Sequence, residues 1–248
     1  MEQCKKRFLE LAEKCYLQNV YCSTGFLGMA EQDVFYSIQR EISHVPVTAF
    51  GGNEGCERQM LRFGSMEQLG YEEVFPIVCL EIRPRMEKFA QELTHRDFLG
   101  ACMNLGIERS TIGDILCRGK SAYLYCTEKI APYIVENLHR IRHTEVLTEV
   151  FSGELKALAP KKEERICQVS SERLDAVIAK TYNLSREKSL LLFRKKKIFV
   201  NGQIQENNSA APKPGDIVSV RGYGKFCYLG IESVTRKGKY SVRVAAYV

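Results

Sequence analysis

The sequence lacks the long apolar segments and the paired cysteines that mark several classes of protein. No uninterrupted apolar run among the 248 residues approaches the ~18 residues needed to cross a bilayer, so we expect no membrane span. The ten cysteines include no Cys-x-x-Cys pair, which leaves a zinc ribbon or a thioredoxin-like redox pair without support. We therefore expect no bound metal and reduced, mostly buried thiols.

Signals for export and for cofactor binding are missing as well. Residues 1–7 lead directly into a charged amphipathic segment, without an apolar signal region, which predicts a cytoplasmic protein. The chain has no Gly-x-Gly-x-x-Gly loop, no P-loop and no HIGH-type synthetase signature, so we expect no cofactor.

The charge is unevenly distributed along the chain. Residues 160–248 contain 18 Lys and Arg against 8 Asp and Glu, a net charge of +10, whereas residues 1–159 contain 18 against 22, a net charge of −4. A concentration of positive charge at one end favours a polyanionic partner, because each cation set against a phosphate releases condensed counterions.

Apolar periodicity predicts helices at residues 4–19 and 30–40, followed by a glycine-rich loop at 50–55. We interpret residues 1–71 as a helical N-terminal region. Gly51 and Gly52 would allow a close approach to a phosphate, although an isolated glycine pair is more typical of a turn.

The pattern changes between residues 72 and 157, where strands and helices alternate in the order β-α-β-β-α-β. This order predicts the split βαβ arrangement of ferredoxin-like and RNA-recognition folds, which leaves function open. The predicted strands are 75–82, 112–116, 121–126 and 146–150, and the predicted helices are 86–93, 96–105 and 127–138. Tyr123 and Tyr125 alternate so as to share one face, but half-buried packing accounts for them better than base stacking does.

A proline and a charge cluster at 158–164 indicate a linker, and a third domain follows at 165–248. Ser170 and Ser171 offer caps to one helix, and Ser185 offers a cap to a second helix. Short strands follow at 198–200 and 217–220, separated by turns. The prediction for the whole chain is an α+β fold whose last domain packs two short helices on a small twisted sheet.

Four motifs in this last domain, taken together, resemble the S-four RNA-binding domain, named for ribosomal small-subunit protein four. They are Arg173-Leu174-Asp175, Ser185-Arg186, Val200-Asn201-Gly202 and the segment Pro-Gly-Asp-Ile-Val-Ser-Val-Arg-Gly at 214–222. Lys196 departs from the pattern, since the family commonly has a glycine before the strand.

The resemblance implies a cationic surface that contacts the phosphates of structured RNA and reads its shape. The residues we assign to it are Arg173, Asp175, Ser185, Arg186, Lys188, Arg194, Lys195, Lys196, Lys197, Asn201 and Arg221.

The rest of the chain resembles the bacterial YlmH family. The residues that carry this likeness are 26–27, 30–32, 51–52, 57–58, 94–100, 104–109 and 112–115. It implies a ribosome-associated protein that acts at the large subunit or on tRNA-blocked ribosomes in translation quality control, with a link to cell division. The expected partners are structured RNA, either rRNA or tRNA, and the ribosome, and we expect a monomer.

Other readings remain. His95-Arg96-Asp97 places a histidine beside a carboxylate, but no nucleophile motif accompanies it, and capping of a helix accounts for it better. His139 and His143 have the spacing of a metal pair on a helix but lack a third ligand.

Four more arginines would extend the RNA surface: Arg96, Arg109, Arg140 and Arg142. We favour a non-enzymatic RNA-binding protein over an RNA-modifying enzyme with an S-four domain or a cell-division adaptor.

Overall fold

The computed structural model describes residues 2–158, 160–236 and 238–247. It forms two compact units, Met1–Ala159 and Pro160–Val248, and its mixture of helices and antiparallel sheets confirms the predicted α+β class. Within these described ranges, no helix is long and apolar enough to cross a membrane.

The first 71 residues hold more than helices. α1 buries Phe8, Ala12 and Cys15 on the predicted face, and three strands form an antiparallel sheet in the order β1-β3-β2. The periodicity did not reveal this sheet, because its strands have only two to four residues each and β1 meets β3 through pairing that is distant in sequence. The elements are α1 (Glu2–Gln18), β1 (Cys22–Ser23), α2 (Met29–Ile38), β2 (Val47–Phe50), β3 (Met60–Phe63) and α3 (Met66–Leu69).

The middle segment has the predicted split βαβ arrangement. Its strands lie in the antiparallel order β5-β6-β4-β8-β7, with the first strand in the centre. The elements are β4 (Ile77–Pro84), α4 (His95–Asn104), β5 (Ile112–Arg118), β6 (Ser121–Thr127), α5 (Ala131–Asn137), β7 (Arg140–Ile141) and β8 (Thr144–Val150).

Two predicted helices of the middle segment are wrong in extent. The segment 86–93 contains only one 3₁₀ turn, Glu87–Phe89. The last helix begins at Ala131 rather than at Thr127, with Pro132 in its first turn, where a proline costs no hydrogen bond. The start of α4 agrees with the capping expectation: Thr94 and Asp97 form a capping box.

One face of the middle sheet and part of the other are covered within the first unit. One face packs against α4 and α5 through a core that includes Leu80, Phe98 and Leu124. The other face carries Cys79 and Tyr125 and is covered by Phe26, Cys56 and Met60 from the N-terminal region.

Arg58 and Asp114 connect these two parts of the first unit. The Asp114 carboxylate accepts hydrogen bonds from the backbone N–H groups of Glu57 at 2.6 Å and Arg58 at 3.0 Å. The Arg58 guanidinium donates to the carbonyl oxygens of Phe26, Arg109 and Ile112. Burial lowers the pKa of Arg58 to about 10, so the group remains charged at neutral pH. The quoted family motifs at 57–58 and 112–115 therefore meet in a structural junction.

All ten cysteines are unpaired, and seven of them are buried. Burial raises the pKa of Cys79 to about 12 and that of Cys102 to about 11. These thiols stay protonated and inert at neutral pH.

The second unit is a six-stranded antiparallel sheet, in the order β11-β10-β12-β13-β14-β9, with two helices packed against it. Its core includes Leu174, Val177, Phe193 and Phe226. The elements are β9 (Lys162–Val169), α6 (Leu174–Thr181), α7 (Arg186–Arg194), β10 (Ile198–Val200), β11 (Gln203–Ile204), β12 (Ile217–Val220), β13 (Gly224–Val234) and β14 (Tyr240–Tyr247).

Candidate nucleic-acid interface

The start of α6 is fixed by a neighbouring loop rather than by the predicted serine caps. Arg173 is the residue that precedes the helix. The backbone N–H groups of Leu174 and Asp175 lie in the first turn, where the helix itself supplies no acceptor. They donate to the carbonyl oxygens of Ala210 and Asn208 at 2.9 and 3.1 Å. Backbone carbonyls thus satisfy the donors that a serine side chain would otherwise take.

Asp175 is fully buried, so it has no access to a phosphate. Its carboxylate receives two hydrogen bonds from the Arg173 guanidinium, at 3.0 and 2.9 Å, and one from the Asn208 amide at 3.3 Å. Such a two-point pair fixes the plane of the guanidinium. We therefore reassign Asp175 from RNA contact to the positioning of Arg173, whose side chain is 35% exposed.

The predicted cap of α7 is present. The Ser185 hydroxyl accepts a hydrogen bond from the Lys188 N–H at 3.2 Å. α7 buries Ser189, Leu192 and Phe193, and the buried Ser189 hydroxyl donates to the Asp175 carbonyl at 2.9 Å. This bond and the shared apolar core hold the two helices together.

The exposed side of α7 carries the predicted cations. Arg186, Lys188, Arg194 and Lys195 are all exposed. Lys188 and Lys195 stand seven residues apart, which places them two turns apart on one helix face, about 10 Å along the axis.

Both helices of the second unit end in the same way. Asn183 and Lys196 have φ values of +52° and +51°, and the residue after each donates its N–H to a carbonyl five positions earlier, Leu184 to Ala179 and Lys197 to Leu192. This is the Schellman motif, whose left-handed residue is usually glycine. The departure at Lys196 therefore keeps the backbone conformation of a glycine.

A group of cations lies at the end of α7 and directly after β12. The Arg221 N–H donates to the Lys197 carbonyl at 3.0 Å, and the Arg221 guanidinium lies over the buried Phe199 ring, 5.1 Å from its centroid. Lys196 forms an ion pair with Glu206 at 2.8 Å.

We call the exposed cations of this region the basic surface. Its members are Arg186, Lys188, Arg194, Lys195, Lys197 and Arg221. In the described part of the chain, none of the six forms an ion pair with a carboxylate within 4.0 Å. Their charge is therefore free to act on an external anion.

Asn201 was assigned to RNA contact, but its side chain forms hydrogen bonds within the fold. It occupies the β10–β11 turn with a φ of +50°. Its amide donates to the Asp216 carboxylate at 2.8 Å, and its side-chain oxygen accepts from the Ile217 N–H at 2.9 Å. Both polar ends are used inside the fold, so Asn201 positions the turns of the sheet.

The two tyrosines of the middle sheet form contacts within the first unit, and only Tyr125 is fully buried. Tyr125 is fully buried, and its hydroxyl accepts from the Asn53 amide at 3.1 Å. Tyr123 donates to Glu81 at 3.1 Å and contacts the Phe151 ring. The N-terminal region thus covers Tyr125 on the face that an RNA-recognition domain uses to stack bases.

The residues of the two histidine motifs lie at the ends of secondary-structure elements. His139 and His143 follow the end of α5 and flank β7, so the helical spacing assumed for them does not apply. Asp97 pairs with Arg142 at 2.5 Å and accepts from the Thr94 N–H, and these bonds hold its pKa below the usual range. Across the described ranges, no cluster of three His, Cys, Asp or Glu side chains is placed to hold a metal ion.

Tyr223 is a residue of this region that the sequence reading missed. It lies between Arg221 and β13, and the Lys188 ammonium stands 5.7 Å from its ring centroid. The sequence feature that indicates it is the run Gly222-Tyr223-Gly224 directly after Arg221, because glycines on both sides of an aromatic residue place its ring in a turn.

A family model and a curated relative agree with the resemblance to the YlmH family. Residues 71–153 match a family model described as "Putative RNA-binding domain in YlmH". The solved structure "Cell division protein ylmH from Streptococcus pneumoniae" is similar with a TM-score of 0.49 and 20% identity, over 60% of this chain and 90% of that chain. A curated relative, "Ribosome-associated protein quality control protein P2" of Bacillus subtilis (strain 168), is 30% identical over 220 residues, which are 88% of this chain and 84% of the relative. The chain belongs to the YlmH family.

Proposed function

We propose that this protein is a non-enzymatic RNA-binding protein of the cytoplasm that docks on ribosomal RNA or tRNA through the basic surface. The observation that carries the proposal is the set of six exposed cations without a carboxylate partner in the described residues. Cations held on two packed helices contact phosphates at a fixed spacing, so they recognise the shape of a folded RNA rather than its sequence.

The S-four assignment of the second unit is part of this proposal. It is supported by the paired short helices α6 and α7, by the Ser185 cap and by the left-handed Lys196 at the position where that family commonly has glycine.

The relative's name refers to ribosome-associated quality control. We extend this role to the present chain and place its site of action on the large subunit, on ribosomes that retain a tRNA. The domain division at 1–71, 72–157 and 165–248 belongs to the same proposal, with the last domain as the RNA anchor.

The direct test is charge reversal on the basic surface. The variant Arg186→Glu, Lys188→Glu, Lys195→Glu changes three exposed side chains of α7. It leaves Arg173 in place, because a glutamate at that position would face the buried Asp175 carboxylate. We expect this variant to leave the ribosomal fraction in sucrose-gradient sedimentation while its circular dichroism stays unchanged.

A matched control reverses three exposed cations of the first unit that lie outside residues 71–153, Lys6, Lys14 and Arg40. It changes the net charge by the same amount, and we expect it to remain with ribosomes. Nuclease treatment separates RNA docking from a protein adaptor, because an adaptor stays with its protein partner after the RNA is digested. Ribosome co-sedimentation of the folded α7 variant at the wild-type level would contradict the proposal.

A further inference from the structure

Tyr223 differs from the other exposed apolar side chains of the second unit. It is 37% exposed, and it is the only aromatic residue among the large exposed apolar side chains that the structure describes there. The others are Ile166, Leu191, Ile217, Leu229, Ile231 and Val234. An exposed aromatic ring offers a flat surface that aliphatic side chains do not.

The backbone presents this ring at the end of a strand. Gly222 and Gly224 have φ values of +88° and +126°, a region that favours glycine. The Tyr223 N–H donates to the Val220 carbonyl at 2.9 Å, which closes the turn. A β-carbon at Gly222 would meet no atom within 4 Å. The glycine is therefore required by the backbone conformation of the turn rather than by lack of space.

The Tyr223 ring also packs against aromatic side chains that lead to the core. Its centroid lies 5.9 Å from that of Tyr182, and Tyr182 lies 6.1 Å from the fully buried Phe226. The three rings form a connected series from the core to the surface. A stacking group whose position is fixed in advance loses little conformational entropy on binding.

Cations flank the ring on two elements. The Lys188 ammonium lies over it at 5.7 Å from the centroid, and Arg221 is two residues away at the start of the same turn. Both residues are members of the basic surface. An aromatic ring near cations that bind phosphates is an arrangement with which proteins hold single-stranded or unpaired nucleotides, the base on the ring and the backbone on the cations.

We propose that Tyr223 is a stacking platform for one unpaired base of the bound RNA, with Lys188 and Arg221 holding the adjacent phosphates. This inference rests on the proposed function. It adds a specificity that phosphate contacts alone do not supply, a preference for a helix interrupted by a bulge or a flipped-out nucleotide over a continuous duplex.

Two RNA hairpins of equal length test the proposal. One carries a single bulged 2-aminopurine, and in the other the same position is paired. We expect wild-type protein to bind the bulged hairpin more tightly and to quench its fluorescence. Tyr223→Leu, which keeps an apolar contact with Tyr182, should weaken binding of the bulged hairpin roughly tenfold and abolish the quench. Its affinity for the paired hairpin should stay within about twofold of the wild-type value, because phosphate contacts do not depend on the ring.

The control variant Tyr223→Phe keeps the ring and removes only the hydroxyl, so it should behave as wild type. The triple charge reversal on α7 should weaken binding of both hairpins. Equal binding of the two hairpins by wild type, or an equal loss for both with Tyr223→Leu, would overturn the stacking role while leaving the proposed function intact. Absence of binding to either hairpin by wild type would contradict both.

Discussion

Lys196 shows how a single position can favour binding over stability. Its φ of +51° is strained for a residue with a β-carbon, and glycine is usual at this point of a Schellman motif. Its ion pair with Glu206 joins side chains that are 59% and 63% exposed, and such surface pairs contribute little. A glycine here would relieve the strain but would remove a cation beside the basic surface.

We predict that Lys196→Gly raises the free energy of unfolding by about 1 kcal/mol and weakens RNA binding. Urea denaturation followed by circular dichroism and RNA titration by fluorescence anisotropy measure the two effects. Lys195→Gly is the matched control, because Lys195 has an ordinary φ of −84° and its replacement relieves no strain. A less stable Lys196→Gly protein would show that the side chain makes a larger contribution to the fold than its exposed contacts indicate.

At the scale of elements, the loop at residues 51–53 packs on one side chain of the middle sheet, Tyr125. Gly52 has a φ of +100°, and a β-carbon on it would lie 2.4 Å from Cδ1 of Tyr125. The backbone therefore lies directly on the tyrosine ring, and the neighbouring Asn53 bonds the Tyr125 hydroxyl. The glycine pair serves this close packing instead of approaching a phosphate.

Gly52→Ala should lower the free energy of unfolding by about 2–4 kcal/mol, the sum of backbone strain and overpacking. Thermal unfolding of the full chain measures the loss. Gly70→Ala is the control, since Gly70 has a φ of +80° but no atom within 4 Å of its would-be β-carbon, so it reports the strain alone. Equal losses in the two variants would mean that the close contact with Tyr125 adds nothing to the backbone strain at Gly52.

Local signals and long-range contacts differ in how well the sequence predicts them. The Ser185 cap, the Asn201-Gly202 turn and the order of the middle strands follow from residue types close together in the chain, and the structure agrees with them. The burial of Tyr125 under Gly52 depends on a partner 73 residues away, and no local pattern reports it. The contact of Asp175 with Asn208 is likewise not predicted by a local pattern, because the two residues are 33 positions apart in the chain.

For the whole molecule, the separation of charge between the two units is the property that RNA binding should follow. A net charge of +10 in residues 160–248 against −4 in residues 1–159 attracts a polyanion to one end of the chain. Each phosphate that a cation neutralises adds about 0.9 to the slope of log K against log salt. Several such contacts on the basic surface should lower RNA affinity on the order of tenfold or more between about 50 and 200 mM salt.

Anisotropy titrations over this range of potassium chloride give the slope of log K against log salt for wild type. The triple charge reversal on α7 removes up to about three phosphate contacts, so its slope should be shallower by up to about 2.7. The Lys6, Lys14, Arg40 control should keep the wild-type slope, because its changes lie in the acidic unit and outside residues 71–153. An affinity that is independent of salt would mean that base or protein contacts, rather than phosphates, hold the complex. The slope also separates the two roles proposed for the second unit: Tyr223→Leu should lower the affinity for a bulged RNA without changing the slope, since stacking releases no counterions.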